Sequence, residues 1–463
     1  MGEKIYDVII VGAGPAGIFT ALELSKEEGL EIVLLEKGPD IEERSCRARL
    51  PGGTCAHCKP CMLLCGLGGA GAFSDGKLTL SPEVGGNLAE LLGEEETRNL
   101  IRQVDETFVR FGAKVPVYGR KMDEIERLQK RAALAGLKLI YNPIRHLGTE
   151  RSGEILKAMR DELLRRGVEI RTRTSVESIF VEDSMAKGVE TSEGEALMGQ
   201  FIVLAPGREG ATWLKEVANK LNLSFTRSPV DIGVRVELPA EVLAPITDLL
   251  YEPKLLYYSK AFDDKVRTFC FCPYGEVVLE HFGDVMSVNG HSYAGIRTPN
   301  TNFAILVSKT FTEPFKEPIA YGKYIARLAN LLSGGIIVQR LGDLEQGRRS
   351  TAKRLSRSIV VPTLKEATPG DLNLVLPYRY VVNILEMLKA LDQIAPGVYS
   401  RHTLLYGVEV KFYSSRLHLT SCLETEVENL FAAGDGAGIT RSLVQASASG
   451  IVVAREILTR AKA

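Results

Sequence analysis

Charge of one sign is missing from this chain. Its 57 basic and 58 acidic residues leave a net charge of −1, so no global field marks nucleic acid or an anionic membrane as a partner. Long apolar runs are missing too. No uninterrupted stretch reaches the ~18 residues that a spanning helix needs, and no membrane span is expected. The first strand begins within a few residues of Met1, without the basic stretch, apolar segment and cleavage site of a leader. Tyr6 stands where the myristoylation pattern requires Ser or Thr, so a cytoplasmic protein is expected. Cysteine is sparse except in one place: five of the eight fall between Cys46 and Cys65. A secreted disulfide framework spreads its cysteines along a short chain, whereas a cluster in a long one points to metal or redox chemistry. The remainder is ordinary for a globular protein, with 463 residues, 45% hydrophobic and 25% charged, enough for two or three domains.

The organising stretch is Val8-Ile9-Ile10-Val11-Gly12-Ala13-Gly14-Pro15-Ala16-Gly17. An apolar strand ends in a glycine turn that opens directly into a helical pattern, expected from Pro15 to about Glu28. This strand–turn–helix context turns G-x-G-x-x-G into a dinucleotide site. Gly12 allows the tight turn, Gly14 lets backbone N–H groups approach a pyrophosphate, and Gly17 lets the helix lie close on the strand. The phosphates would sit at the helix N-terminus, beside Pro15 and Ala16, where free N–H groups and the helix dipole favour negative charge. A second strand, 31–36, ends at Glu36 with Lys37 beside it. Glu36 lies nineteen residues past Gly17, where the fingerprint places an acid on the ribose hydroxyls and repels a 2′-phosphate. FAD and NAD remain.

Cys55, Cys58, Cys61 and Cys65 follow with the spacing C-x2-C-x2-C-x3-C. Bacterial ferredoxins hold [4Fe–4S] clusters with this spacing, although their fourth cysteine serves another cluster and is followed by Pro, where Gly66 stands here. Cys46, Cys270 or Cys272 could complete a set. Zinc with His57 as a spare ligand, a redox disulfide and unligated thiols stay open. The glycine-dense run 66–77 also spells G-x-G-x-x-G, but cysteines precede it and no helical pattern follows, so it is not a second dinucleotide turn. Its glycines let the backbone lie against a flat ligand or a phosphate, with Ser74, Asp75 and Lys77 as the polar groups presented there. Helical periodicity covers 87–111, with Glu94-Glu95-Glu96 as a solvated face or a break, and 122–135. Arg145-His146 forms a candidate site loop with a lone imidazole. After a helix at 151–166, strand pairs return the chain to a second buried strand, 201–204, which empties into the turn at Gly207. From about 225 to 402 strand patterns dominate. A basic segment, Arg340 to Arg357, reads as a solvated face or as a surface for an anionic partner. The tail closes with a short strand at 430–432, Gly434-Asp435, and a helix from about 443 to 460.

These residues carry a resemblance. Thr425, followed after six residues by Ala432-x-Gly434-Asp435, resembles the second FAD motif of glutathione-reductase-type flavoproteins, in which the Asp bonds the ribityl chain. Together with Gly12, Gly14, Gly17 and Glu36, that resemblance implies FAD rather than NAD. It also implies that Val176 offers its backbone to the adenine. More narrowly, 65–77, 406–411 and 432–450 resemble a family of bacterial and archaeal FAD-dependent dehydrogenases, over most of the chain. The expected fold is α/β: a Rossmann-like FAD domain of βαβ plus β-meander type, with an inserted β-rich α+β substrate domain. The expected division is 1–224 (with the Cys- and Gly-rich loop 46–77 and a helical insertion 87–136), 225–402 for the insert, and 403–463. The implied activity is an FAD-dependent oxidoreductase acting on a small molecule. Lys77, Asp75 and His146 are the candidate proton-handling residues, and Cys55, Cys58, Cys61 and Cys65 the candidate ligands of an iron–sulfur cluster. Glutathione-reductase relatives carry a second dinucleotide domain for NAD(P)H, and none survives here. NAD(P)H therefore stands beside ferredoxin as an open choice of donor. A flavin-dependent RNA-modifying enzyme using Arg340–Arg357, or an electron-transfer flavoprotein without its own substrate, are the alternative readings.

Overall fold

The computed structural model describes residues 4–47, 56, 58–226, 228–282, 285–293, 297–311 and 317–462. The chain forms two compact units. One comprises Met1–Pro116, Arg145–Ser228 and Ser414–Ala463, the other Val117–Ile144 and Pro229–Tyr413.

The first unit is built on a largely parallel sheet. β1 (Ile5–Val11) leads into α1 (Pro15–Leu24) and β2 (Ile32–Leu35). α2 (Thr149–Arg165) is followed by β3 (Glu169–Arg171), β4 (Val176–Glu182), β5 (Met185–Thr191) and β6 (Ala196–Leu204). After the long excursion, β7 (Leu430–Ala432) and α3 (Leu443–Ala461) complete it. The order is β3-β2-β1-β6-β5-β4, with β7 on the other side of β6 at its carboxyl end. β1 runs parallel to β2 and to β6, with Val11 opposite both Leu35 and Leu204. β7 runs parallel to β6, and β4–β5–β6 form an antiparallel meander. Val8, Ile9 and Ile10 of β1 and Ile32, Val33 and Leu34 of β2 are all buried, which is why these strands are continuous apolar runs rather than alternating ones.

Helix α1 stops at Leu24, short of the expected Glu28. Its apolar positions end there, and Lys26 and Glu27 close tight turns onto Glu23 and Leu24 instead. The helical segment 87–111 is two helices, Leu88–Leu92 and Glu94–Arg110, separated by Gly93 at φ +83°. A glycine at positive φ and extended ψ, a conformation open to glycine, ends the first helix and starts the second.

The second unit holds an eight-stranded sheet in the order Thr368–Pro369, Ile337–Arg340, Leu404–Lys411, Val230–Pro239, Asn300–Lys309, Lys265–Cys272, Lys254–Tyr258 and Leu137–Ile140. Helices Met122–Leu134 and Tyr378–Ile394 belong to its core. Two boundaries therefore differ from the sequence reading. Leu404–Lys411 is an interior strand with all eight residues buried, so the chain returns to the first unit at Ser414 and not at 403. Helix Met122–Leu134 with its following strand also joins the second unit, because Leu137–Ile140 forms the edge of that sheet.

Candidate functional site

Three glycine turns follow three neighbouring parallel strands of the first unit at their carboxyl ends: Gly12 after β1, Gly207 after β6 and Gly434 after β7. That edge is where open α/β sheets bind ligands. Gly12 has φ +106°, and a Cβ there would overlap the carbonyl of Ala205. At Gly17 a Cβ would overlap the Gly12 carbonyl oxygen and lie 3.3 Å from Ile10 Cγ2, so only glycine lets α1 sit this close to its strand. Gly14 differs from both. A Cβ there would meet nothing nearer than Gly69 Cα at 4.0 Å. Gly14 is also the N-cap of α1, without a side-chain cap, and Pro15 occupies the first turn. The result is an uncapped helix N-terminus with a concave, side-chain-free backbone in front of it, a cradle that a diphosphate fits.

Glu36, 6% exposed, fixes this cradle from behind. Its Oε2 accepts from Ala13 N–H at 2.9 Å, and its Oε1 accepts from Gly38 and Gly66 N–H, each at 2.9 Å. Three of about four carboxylate lone-pair sites are therefore committed to the backbone. Lys37 is ion-paired to Glu209. Val176, buried at the start of β4, lies near Glu36 because Thr174 N–H donates to the Glu36 carbonyl at 2.9 Å and Arg173 N–H to that of Gly38 at 2.8 Å.

At the far end of the cradle, Gly434 (φ +76°) would bring a Cβ to 3.0 Å from Ala16 Cβ. That places Asp435 beside the start of α1. Thr440 Oγ1 donates to Asp435 Oδ1 at 2.7 Å, and Arg208 Nε lies 3.5 Å from Oδ2. Burial raises the Asp435 carboxyl above its ordinary range, against the pull of Arg208, Thr440 and Arg441. Gly207 (φ +63°) is open space for a Cβ, and its carbonyl lies against Gly436.

The glycine-dense run packs onto the same turn. Gly68 N–H donates to the Ala13 carbonyl at 2.8 Å. A Cβ on Gly69 would lie 3.0 Å from Gly14 Cα, and one on Gly71 2.8 Å from Leu443 Cδ2. Gly69–Phe73 is a 3-10 helix. Past it, Lys77 Nζ pairs with Asp75 at 2.9 Å. Leu147 N–H donates to Gly76 and Gly148 N–H to Asp75, each at 3.0 Å, so half-buried His146 stands beside the 75–77 turn. The sequence candidates Asp75, Lys77 and His146 are thus brought together.

Of the cysteines, Cys55, like His57, lies outside the described residues. Cys58 is exposed, Cys61 half-buried and Cys65 buried, with Cys65 N–H bonded to the Cys61 carbonyl at 2.8 Å. Burial pushes the Cys65 thiol up to about 11. Among the described residues no three of His, Cys, Asp and Glu converge as a metal group. Cys270 and Cys272 belong to the second unit, where the Cys272 thiol accepts from Arg235 at 3.2 Å. The basic segment folds partly onto an acid of its own: Arg340 and Arg348 both pair with buried Asp343 at 2.9 Å.

Several supporting residues escaped the sequence reading. Gln445, fully buried, donates to the carbonyls of Pro82 and Val84 at 3.2 and 3.0 Å. Ser442 caps α3, accepting from Gln445 N–H at 3.2 Å. The S-x-x-Q pattern of 442–445 is a capping-box signal that would have marked the helix start. Arg44, buried against backbone carbonyls of the glycine-dense run, left no such signal.

The family profile described as FAD dependent oxidoreductase, the DAO family, matches residues 7–236. A second, FAD-dependent protein, C-terminal domain-like, matches residues 229–412. The chain belongs to the FAD-dependent oxidoreductases. FAD is its cofactor, and its fold is the Rossmann-like FAD domain with a β-rich partner unit that the sequence led us to expect. An uncharacterized protein of Clostridium beijerinckii is 28% identical over 477 residues, covering 98% of this chain and 80% of that one. Among solved structures, glycine oxidase from Geobacillus kaustophilus is 14% identical with a TM-score of 0.40, covering 98% of this chain and 95% of its own. L-proline dehydrogenase from P. horikoshii is 11% identical with a TM-score of 0.41, covering 99% and 94%. Among the described residues no helix of this oxidoreductase is long and apolar enough to cross a membrane.

Proposed function

We propose that this oxidoreductase exchanges hydride or electrons between FAD and a small-molecule substrate, with proton handling by Lys77, Asp75 and His146. The carrying observation is the bare cradle at Gly14, in front of an uncapped helix and between the Gly12, Gly207 and Gly434 turns. In this reading Gly12, Gly14, Pro15, Ala16 and Gly17 seat the pyrophosphate and Glu36 and Lys37 flank the AMP ribose. Val176 lies along the adenine, Gly207 leaves room beside the ribityl chain, and Asp435 bonds that chain. Bound FAD supplies the hydride and one-electron chemistry.

The chain's own residues then govern orientation and protons. Asp435 is held through Oδ1 by Thr440, so its Oδ2, with Arg208 Nε 3.5 Å away, has a fixed direction. The Lys77–Asp75 pair, buried from most solvent contact, keeps an ammonium positioned as an acid, and His146, on the strand next to the 75–77 turn, is the second proton-handling group. The second unit is proposed to select the substrate. The spacing of Cys55, Cys58, Cys61 and Cys65 supports an iron–sulfur cluster as a second redox centre, with ferredoxin as electron donor. NADH and NADPH are the competing donors.

An anaerobic titration tests this reading. Purified protein is mixed in turn with reduced ferredoxin, NADH and NADPH while flavin bleaching is followed, alongside iron and acid-labile sulfide analysis. Bleaching by reduced ferredoxin with stoichiometric iron and sulfide supports the cluster route. Bleaching by a nicotinamide with background iron removes it.

A further inference from the structure

Arg44 is a buried arginine, 7% exposed, and among the described residues no carboxylate stands within ion-pair distance of it. A buried cation without an acid is costly unless other acceptors replace water. Here the acceptors are all backbone carbonyls, and all lie within residues 62–69. Nε donates to Met62 at 3.2 Å and Nη2 to Leu63 at 2.9 Å. Nη1 donates to Leu67 at 2.7 Å, Gly69 at 2.8 Å and, more weakly, Gly66 at 3.4 Å. The guanidinium also lies 4.9 Å from the centre of the Phe73 ring. From 62 to 68 the chain has no regular helix or strand; the Gly66 carbonyl also accepts from Gly69 N–H at 2.8 Å, whereas those of Met62, Leu63 and Leu67 are gathered by this one multivalent donor. Arginine's fixed fork of five N–H groups supplies it.

The opposite side of the same turn faces the cradle. Gly66 N–H is held by Glu36 Oε1 at 2.9 Å, Gly68 N–H by the Ala13 carbonyl at 2.8 Å, and Gly69 lies against Gly14. One residue's backbone therefore joins two buried charges. Glu36 collects backbone N–H groups, Arg44 collects backbone carbonyls, and Gly66 serves both. Without Arg44, the Gly66–Gly69 backbone keeps its N–H bonds to Glu36, Ala13 and Pro39 but loses the anchor on its carbonyl side.

We propose that Arg44 is a positioning residue for FAD: from outside the cradle it fixes the Gly66–Gly69 backbone that closes the cradle over the fingerprint turn. The inference rests on FAD occupying that cradle, and it is independent of which substrate the enzyme uses.

The test is the FAD dissociation constant of the apo-protein, read by quenching of flavin fluorescence, for wild type, Arg44→Met and Arg44→Lys. Arg460→Met serves as a control. Arg460 pairs with Glu424 and Glu456 near the other end of α3, so its loss perturbs the same unit away from the turn. Loss of hydrogen bonds from a charged donor predicts a Kd about tenfold to a hundredfold weaker for Arg44→Met. Arg44→Lys, with its charge but without the fork, falls between Arg44→Met and wild type. The visible circular dichroism of bound flavin changes in both variants, while Arg460→Met lowers Tm and leaves the Kd in place. Should Arg44→Met fail to fold, Arg44→Lys decides the matter. Wild-type Kd in the Arg44 variants, with only a lowered Tm, overturns the inference, as does equal weakening in Arg460→Met. Failure of wild type to bind FAD would instead contradict the cofactor site itself.

Discussion

At Gly14 the site stays open. Its two fingerprint neighbours are glycine because a side chain would collide, with the Ala205 carbonyl at Gly12 and with the Gly12 carbonyl at Gly17. Gly14 is glycine for space of another kind, room in front of a helix end. Near that opening the polar residues divide into those that hold backbone and those that can handle protons. Lys77, held by Asp75, is proposed for the second group. Lys77→Met should slow flavin reduction by substrate about 10²- to 10⁴-fold, the usual span for a lost acid–base group. FAD content should remain that of wild type, and stopped-flow absorbance with cofactor quantification reads both. In the second unit Asp343 offers a residue-scale test of stability. Burial disfavours its charge, but Arg340, Ser350 and Arg348 outweigh that and lower its carboxyl to about 2. An acid near ~3.9 in the unfolded chain therefore contributes stability that is fully present above that value and lost as pH falls toward 2. Asp343→Asn, which strands buried Arg340, should cost about 3–5 kcal/mol at neutral pH. It should also flatten the acid limb of the unfolding curve between about pH 4 and pH 2.

At the scale of elements, the crossing of α1 and α3 ties the two ends of the FAD domain together. Thr20 Oγ1 donates within α1 to Ala16 at 2.9 Å and reaches Gly450 of α3 at 3.2 Å. A Cβ on Gly450 would overlap the Ala16 carbonyl and lie 2.9 Å from Thr20 N. Ser449 Oγ meanwhile accepts from Gly434 N–H at 3.0 Å. Gly450→Ala should therefore push the helices apart, destabilise the protein by about 1–3 kcal/mol and weaken FAD binding, since the same contact seats Gly434 beside Ala16. Thermal unfolding with and without FAD measures both effects.

The elements near this crossing were the most legible part of the sequence. β1, its turn and β2 announce themselves through a short apolar run and glycines at fixed offsets, signals that lie within one local window. Gly434-Asp435 was legible for the same reason. The interior strand Leu404–Lys411 was harder, because a fully buried strand of a mostly antiparallel sheet lacks the alternation that marks an edge. The end of α1 was misplaced because charged residues 26–28 fit a helix as well as a turn. Glu36 was legible as the fingerprint acid, but the long-range bonds of the two buried hubs were not. Glu36 meets Gly66, and Gln445 meets Pro82 and Val84, across thirty residues in one case and more than three hundred and sixty in the other. Arg44 is recognised by carbonyls, which carry no side-chain signature.

At the scale of the molecule, one unit is assembled from three separate segments of chain and the other from two. The cofactor domain is thus closed only when residues near the two chain ends meet: the fingerprint at Gly12–Gly17 and Gly434-Asp435. A fold of this kind makes FAD retention a test of the whole assembly, because loss of either end removes one side of the cradle. The most direct measurement is the visible spectrum of the purified protein, with the released cofactor identified by mass. A flavin band near ~450 nm and release of FAD in equimolar amount with the chain are predicted. Protein that is colourless and stays apo in excess FAD contradicts the account.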